Sequence, residues 1–310
     1  MNHIGNVIKT LRCNLGLSRN DTSKDICTEK YLYLIEKGER NPSVEMNRFI
    51  GDRLGTNLFT YYEYLDCNDP IQVYDAITRF NLYRRSSDFK SLYSYNRQIM
   101  LLPDFQKGRW KYEIEVNRLS CMAFIEQQYD IVVRDAEEIL KRMDKKYLEE
   151  EFTANLYVLL STCYQCFNDI KNSERALEKA YKKIENKENI PRYNQVIIST
   201  KLNNMTLCHL NGKYDAAIED GLWIYHNKLG SSLGERTNYT FYYLAYSYYK
   251  KEMYQEAFKW FQKCLYDLLI YNNPIAAYYI SNYNLFYDFL NDKRISSEMV
   301  REIKSCYDFI

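Results

Sequence analysis

The stretch that decides the fold is "ICTEKYLYLIEKGERNPS", residues 26–43. Thr28 is a good helix N-cap, and Glu29 in the first turn interacts favourably with the helix dipole. Leu32 and Ile35 can both face inward on one side of the predicted helix. The run ends in "EKGERNPS", in which Gly38 is a helix stop and the following Asn-Pro pair breaks the chain. These residues predict a short amphipathic helix, either an ordinary surface helix or one that enters a DNA groove.

Helices are predicted on both sides of this stretch. A first stripe ends at Gly16 and comprises Ile4, Val7, Ile8, Leu11 and Leu15. Ser18, with Asp21 three residues on, predicts a capped second helix from about Arg19 to Asp25. Ser43 caps a fourth helix, whose stripe is Met46, Phe49, Ile50 and Leu54. Five short helices with a tight turn between the second and third make a compact unit of about 60 residues.

Several short motifs in this unit match one known domain type. They are Ile4-Gly5, Leu11-Arg12, Gly16-Leu17-Ser18 and, above all, Ile35-Glu36-Lys37-Gly38 followed by Asn41-Pro42-Ser43. Residues 4–55 resemble, without a gap, the phage-repressor (XRE) type of helix-turn-helix domain. Tyr33 and Leu34 stand where small or polar residues are usual in that family, and Thr22-Ser23 replaces its usual Leu-Ala.

The resemblance implies that the third helix lies in the major groove of double-stranded DNA. The residues that would reach base edges are Thr28, Glu29, Lys30 and Tyr33, because their side chains can pair with exposed donors and acceptors there. The residues that would lie near phosphates are Arg19, Lys24, Lys37 and Arg40. Residues 1–66 contain 9 Lys and Arg and 9 Asp and Glu, so a monomer would gain little from phosphate contacts. A homodimer on a palindromic operator would double those contacts.

From Pro70 onward the predicted helices lengthen and repeat. Pro70 biases Asp69 away from helix, which puts a predicted boundary between residues 1–66 and 70–310. An apolar anchor opens the second helix of each predicted hairpin: Phe89, Tyr129, Ile170, Tyr214, Tyr254 and Ile295. The intervals between anchors are 40, 41, 44, 40 and 41 residues. Small residues mark the places where paired helices would touch, namely Ser120, Ser161 and Ala245 upstream of the anchors and Ala217 and Ala257 downstream.

These units resemble tetratricopeptide repeats, at a spacing longer than the usual value of about 34 residues. The predicted fold class is therefore all-α, with a five-helix repressor-type domain followed by a right-handed superhelix of about six helical hairpins. An unrelated helical bundle with accidental spacing is the alternative. The scarcity of helix breakers, with 10 Gly and 5 Pro in 310 residues, agrees with long helices.

The order of the two parts resembles the RRNPP group of Gram-positive bacteria, typified by the Rgg, PlcR and PrgX regulators. That resemblance implies a cytoplasmic, quorum-sensing transcription regulator, a homodimer whose repeat domain binds a short signalling peptide. The concave groove would present polar and aromatic residues of the first helices. These are Asn81, Arg84, Asn117, Asn155, Thr162, Gln165, Asn203, Thr206, His209, Tyr242, Tyr246, Tyr249, Tyr283 and Asn284. The other reading is a protein-interaction scaffold with a degenerate helix-turn-helix that does not bind DNA.

Chemistry at a catalytic or metal site has little support in the sequence. The nine cysteines are scattered, and "CYQC" (163–166) lies on a predicted helix without a second pair, which favours buried core cysteines over a zinc or redox site. The three histidines form no metal motif, and no glycine-rich phosphate loop occurs. Neither a signal peptide nor an apolar run of the roughly 20 residues that a membrane span requires is found. We expect a non-enzymatic protein without a cofactor, a bound metal or a membrane partner.

Overall fold

The protein is built of helices. The computed structural model describes residues 2–228, 236–271 and 285–307, and every regular element within these ranges is an α-helix or a 3₁₀ helix. The predicted all-α fold class is confirmed. None of the described helices combines the length and the apolar character that crossing a membrane requires.

Four α-helices and one 3₁₀ helix make up the amino-terminal domain: α1 (Ile4–Asn14), α2 (Arg19–Ser23), α3 (Glu29–Glu36), α4 (Val44–Leu54) and the 3₁₀ helix Leu58–Tyr64. The fifth predicted helix is thus a 3₁₀ helix. The apolar faces meet in one core, whose buried members are Ile4, Val7, Ile8, Leu32, Ile35, Ile50, Leu54, Leu58 and Tyr61. At Gly5 the backbones of α1 and α3 approach so closely that a Cβ atom would lie 1.8 Å from the carbonyl oxygen of Ile35.

Two predicted core positions of this domain are wrong. Leu15 is 55% exposed because it is the C-cap residue of α1, beyond the last turn that contacts the core. Phe49 is 40% exposed, since the inward face of α4 follows Ile50 and Leu54, and the Arg48 guanidinium instead lies 4.6 Å from the Phe49 ring centroid. A hydrophobic stripe identifies the buried face but not its edges.

Twelve further α-helices follow within the described residues, mostly as antiparallel hairpins. They are α5 (Pro70–Arg85), α6 (Phe89–Ile99), α7 (Trp110–Phe124), α8 (Tyr129–Arg142), α9 (Glu151–Cys166), α10 (Ile170–Ile184), α11 (Asn194–Leu210), α12 (Tyr214–Lys228), α13 (Arg236–Lys250), α14 (Tyr254–Tyr271), α15 (Leu285–Asn291) and α16 (Ser297–Tyr307). Five of the six predicted anchors are the first residues of α6, α8, α10, α12 and α14, and Ile295 precedes α16 by two residues. The predicted small contact residues are buried, which lets the paired helices approach closely.

Each of five hairpin turns contains one residue in the left-handed conformation, always two positions before the anchor. The φ angle is 52° at Ser87, 54° at Gln127, 57° at Asn168, 68° at Gly212 and 60° at Glu252. In four of these turns the next amide donates to the carbonyl five residues back, as from Lys213 to Cys208 at 2.8 Å, which is the Schellman arrangement. Glycine and asparagine favour this conformation, whereas serine, glutamine and glutamate do not, so helix packing imposes it at Ser87, Gln127 and Glu252.

The chain divides into two compact units, residues 1–82 with 95–114, and residues 83–94 with 115–310. Within the first unit, the Asp104 carboxylate accepts hydrogen bonds from the backbone N–H groups of Asn68 and Asp69 at 2.9 and 3.0 Å. The Trp110 indole donates to Cys67 Sγ at 3.0 Å. The segment that leads out of the helix-turn-helix is therefore tied to the rest of this unit.

We predict that glycine at two of the left-handed turn positions stabilises the protein. The changes Gln127→Gly and Glu252→Gly should each raise the free energy of unfolding by about 0.5–1 kcal/mol, because left-handed backbone costs an L-residue roughly 1–2 kcal/mol and glycine entropy offsets part of the gain. The measurement is the urea midpoint at constant m-value.

The matched control for this prediction is Gly212→Ala, which should lower the midpoint. No atom lies within 4 Å of a Cβ built at Gly212, so that change tests the backbone conformation alone. If the urea midpoint does not change in either Gln127→Gly or Glu252→Gly, the left-handed conformation does not strain these two turns.

Candidate functional site

Local hydrogen bonds fix the turn between α2 and α3. Ser18 Oγ accepts from the backbone N–H of Asp21 at 3.0 Å, and the Asp21 carboxylate accepts from the backbone N–H of Ser18 at 3.2 Å. This confirms the predicted capping box, and its hydrogen bonds lower the pKa of Asp21 below the ordinary value. Thr28 Oγ1 accepts from the backbone N–H of Tyr31 at 3.2 Å and caps α3 as predicted. α2 ends at Ser23, earlier than predicted, because the chain turns at Asp25 with φ of 62°.

One buried carboxylate joins the first three helices. Glu36 is 4% exposed and accepts from Arg12 through Nε at 2.6 Å and Nη2 at 3.2 Å. It also accepts from Arg19 Nε at 2.7 Å. Arg12 Nη1 donates in addition to the carbonyl oxygen of Leu17 at 2.8 Å. Arg12 of α1, Arg19 of α2 and Glu36 of α3 therefore form one charged cluster that sets the orientation of α2 against α3.

This cluster has no local signature in the sequence. Arg12 and Glu36 belong to motifs that carried the family resemblance, but 24 residues separate them and no spacing rule indicates that they meet. Arg19 was predicted to lie near phosphates, and its guanidinium is in fact partly used by Glu36. The available signal was the position of Glu36 four residues after Leu32, which puts its side chain on the inward face of the predicted helix.

The two polar replacements in α2 are accommodated in the core. Thr22 and Ser23 are both buried. Thr22 Oγ1 donates to the carbonyl oxygen of Ser18 at 2.9 Å, and Ser23 Oγ donates to that of Asn20 at 3.4 Å. Their hydroxyl groups thus find backbone acceptors one turn back, which is the usual way for a helix to bury such residues.

The predicted DNA-contact residues lie on the outer side of α2, α3 and the following turn. Seven of the eight are exposed and Arg19 is partly exposed; the seven are Lys24, Thr28, Glu29, Lys30, Tyr33, Lys37 and Arg40. The Tyr33 ring has the Arg19 guanidinium carbon 5.2 Å and Lys37 Nζ 5.7 Å from its centroid. Glu29, Lys30 and Tyr33 are the exposed residues of α3, so one side of this helix is accessible, as a helix that enters a groove requires.

The predicted peptide-contact residues lie on the first helices of successive hairpins. They are placed on α5 (Asn81, Arg84), α7 (Asn117), α9 (Asn155, Thr162, Gln165), α11 (Asn203, Thr206, His209) and α13 (Tyr242, Tyr246, Tyr249). Tyr283 and Asn284 lie outside the described residues. Asn117, Tyr242 and Tyr249 are buried, whereas the other described members are half-buried.

Three of these residues meet in a polar network between α9 and α11. Asn203 Oδ1 accepts from Ser161 Oγ at 2.7 Å and from Gln165 Nε2 at 3.0 Å. Asn203 Nδ2 donates to Thr162 Oγ1 at 2.7 Å. Ser173 of α10 extends the network, with its hydroxyl oxygen 2.8 Å from that of Ser161. Ser173 follows its anchor by three residues, as Ala217 and Ala257 do, so the repeat pattern could have identified it.

A second polar cluster lies around Asp220. The buried Asp220 carboxylate of α12 accepts from Lys201 Nζ at 2.6 Å and from Asn204 Nδ2 at 2.7 Å, both on α11. Tyr181 OH of α10 donates to it at 2.7 Å, and burial together with this carboxylate raises the pKa of Tyr181. Its members come from three helices with no common spacing, so no sequence signal brings them together.

The aromatic residues of α13 pack mainly against other side chains. The Tyr246 and His209 ring centroids are 3.9 Å apart, and burial, with a smaller contribution from Lys250, lowers the pKa of His209 to about 4. Tyr249 OH donates to Asp292 at 2.9 Å. Tyr242 lies in the core of the last hairpins.

Among the described residues, no group of His, Cys, Asp and Glu side chains could hold a metal ion. The expectation that "CYQC" holds two buried cysteines is correct for Cys163 and wrong for Cys166. Cys166 is exposed because it is the last residue of α9, where the helix surface meets solvent.

Comparison with known proteins gives the fold. No protein-family model matches the chain, and no curated protein matches it significantly. Among solved structures, PlcR of Bacillus thuringiensis in complex with the peptide PapR7 and DNA is 14% identical, with a TM-score of 0.65 over 91% of this chain and 100% of PlcR. The chain has the fold of this regulator.

ComR of S. thermophilus, in complex with DNA and its signalling peptide ComS, is 18% identical, with a TM-score of 0.50 over 90% of this chain and 97% of ComR. A putative transcriptional regulator of Listeria monocytogenes EGD-e is 14% identical, with a TM-score of 0.51 over 95% and 99%.

PlcR and ComR are RRNPP regulators, so the resemblance seen in the sequence is confirmed at the level of the fold. The likeness extends through both parts of the chain, the helix-turn-helix and the tetratricopeptide-like hairpins.

We predict that Glu36→Gln destabilises the protein by about 3–5 kcal/mol, because it leaves the buried Arg12 guanidinium without its counter-charge. Urea unfolding of the full-length protein at neutral pH measures this loss. The matched control is Glu39→Gln at an exposed site three residues on, where the change should stay within about 0.5 kcal/mol. Equal midpoints for the two variants would show that the cluster does not hold the helices together.

We also predict a pH dependence of stability that originates at His209. The pKa of His209 is about 4 in the folded protein against an ordinary value of 6.5, so the unfolded chain binds a proton more readily. The free energy of unfolding therefore falls as pH drops from 6.5 towards 4. His209→Gln should flatten this slope, as measured by urea unfolding at a series of pH values. His226→Gln, at an exposed histidine, should leave the slope as in the wild type; no difference between the two variants would refute the prediction.

Proposed function

We propose that this protein is a cytoplasmic, peptide-responsive transcription regulator. Its helix-turn-helix binds double-stranded DNA, and its repeat domain binds a short signalling peptide that changes the affinity for DNA. The observation that supports this most strongly is the two-part fold, which aligns with 100% of PlcR, a protein whose structure contains both peptide and DNA. The exposed first turn of α3 supplies a surface suited to the first of these roles.

The start of α3 carries chemistry that can read base edges. Lys30 can donate to guanine O6 and N7, Glu29 can accept from cytosine N4, and the Thr28 methyl group can contact thymine. All three side chains are exposed. Since residues 1–66 contain 9 basic and 9 acidic residues, a homodimer on a palindromic operator supplies the phosphate contacts that one domain lacks.

For the peptide, the half-buried polar residues of α9 and α11 are the best-supported contacts. Asn155 has no hydrogen-bond partner among the described residues, so its amide can pair with a peptide backbone. The Thr206 hydroxyl donates to the carbonyl oxygen of Leu202 at 3.1 Å and can still accept from a ligand. Both lie on first helices, near the middle of the array.

Fluorescence anisotropy with duplexes of about 30 base pairs, tiled across the region upstream of the gene, tests the proposal. At least one duplex should bind, and the double change Lys30→Ala and Arg40→Ala should weaken that binding about tenfold or more with an unchanged thermal midpoint. The control is Lys90→Ala with Lys111→Ala, two exposed lysines outside the helix-turn-helix, which should bind as the wild type does. Synthetic peptides from small secreted reading frames beside the gene should shift the affinity of the wild type.

A protein-interaction scaffold with a degenerate helix-turn-helix is the competing function, and the neutral charge of residues 1–66 favours it. It predicts no binding of any duplex at low salt, or equal binding by the wild type and the Lys30, Arg40 double variant. Either result would exclude the regulator.

A further inference from the structure

The ring of Tyr33 brings together cations from both helices of the motif. The Arg19 guanidinium carbon is 5.2 Å and Lys37 Nζ is 5.7 Å from the ring centroid, both within the range of cation–π attraction. Arg19 is the first residue of α2, and Lys37 follows Tyr33 by one turn of α3. Tyr33 itself is 40% exposed, so the group lies at the surface.

Arg19 is held in one orientation. Its Nε donates to Glu36 Oε2 at 2.7 Å, while the guanidinium carbon lies 5.2 Å from the centroid of the Tyr33 ring. The side chain is 34% exposed, and its Nη groups have no hydrogen-bond partner among the described residues. A guanidinium fixed in this way keeps both Nη groups for a ligand, and such a pair of donor groups suits two oxygens of a phosphate.

The local charge is positive although the domain is neutral. Arg12, Arg19 and Lys37 carry three positive charges and Glu36 one negative charge, so the group carries a net charge of +2, against 9 basic and 9 acidic residues over residues 1–66. Two cations that share one ring also repel each other, and an anion bound to both relieves that repulsion. An anion of the DNA backbone fits this requirement.

We infer that Tyr33 is a positioning residue, which holds Arg19 and Lys37 as one phosphate-binding element for the DNA backbone and does not read a base. The inference rests on the proposed function, because it assumes that α3 approaches DNA. Base reading is then left to Thr28, Glu29 and Lys30. A tyrosine at a place where small or polar residues are usual is therefore compatible with DNA binding, since its task is to hold the two cations.

The test uses full-length protein and a duplex of about 30 base pairs of arbitrary sequence, because phosphate contacts do not depend on sequence. Fluorescence anisotropy between about 50 and 200 mM KCl gives the slope of log K against log salt. Tyr33→Phe keeps the ring and should keep the wild-type slope and affinity. Tyr33→Leu removes the ring and should reduce the slope by at least about 1. Lys37→Gln removes one cation, leaves the ring in place and should reduce the slope as well.

Phe49→Leu is the matched control. Phe49 has the same exposed fraction of 40% and a guanidinium at 4.6 Å from its ring centroid, but it lies on α4. Its replacement should leave the slope unchanged. The inference is overturned if Tyr33→Phe reduces the salt slope as much as Tyr33→Leu does, or if Tyr33→Leu and Lys37→Gln both keep the wild-type slope. It is also overturned if Phe49→Leu reduces the slope as much as Tyr33→Leu does. A wild type that fails at 50 mM to bind this duplex overturns the inference, and failure to bind every upstream duplex as well overturns the proposed function; the preceding outcomes leave the proposed function intact.

Discussion

The burial of Glu36 is the constraint on which the helix-turn-helix depends. A carboxylate that is 4% exposed is costly to remove from water unless charged donors surround it. Arg12 of α1 and Arg19 of α2 meet that need together, so the burial of Glu36 ties the first three helices to one another. Because Leu32, Ile35 and Glu36 all face inward, the opposite side of α3 faces solvent. The surface proposed to meet DNA is thus a consequence of where one negative charge is buried.

The repeat region depends on packing in a comparable way. Its hairpins close through a left-handed residue two positions before the anchor, yet serine, glutamine, asparagine, glycine and glutamate all occupy that position. The turn conformation therefore follows from the contacts between paired helices, where small residues such as Ala245 and Ala257 are fully buried. Helix contacts that bury apolar area outweigh a backbone penalty of roughly 1–2 kcal/mol per turn.

The features that sequence predicts best are those with local causes. Ser18, Thr28 and Ser43 cap their helices as predicted, because a cap involves only residues two or three positions apart. Anchors such as Tyr129 and Ile170 begin their helices because the same hairpin recurs along the chain. The interior of the site is harder to predict from sequence, because the partners of Glu36 and Asp220 come from distant segments. The edge of a helical stripe, as at Phe49, depends on the neighbouring residue that packs there.

The polar residues of the array also hold its helices together. Asn203 uses both atoms of its amide within the protein, in bonds that join α11 to α9. A buried donor or acceptor left without a partner costs about 1–3 kcal/mol, so a ligand that engages Asn203 must replace the bonds it displaces. An extended peptide backbone can do so, since it offers donors and acceptors in alternation. Under the proposed function, the free energy of peptide binding at this position would be the difference between two sets of hydrogen bonds, and contact with Asn203 would change how α9 is held to α11.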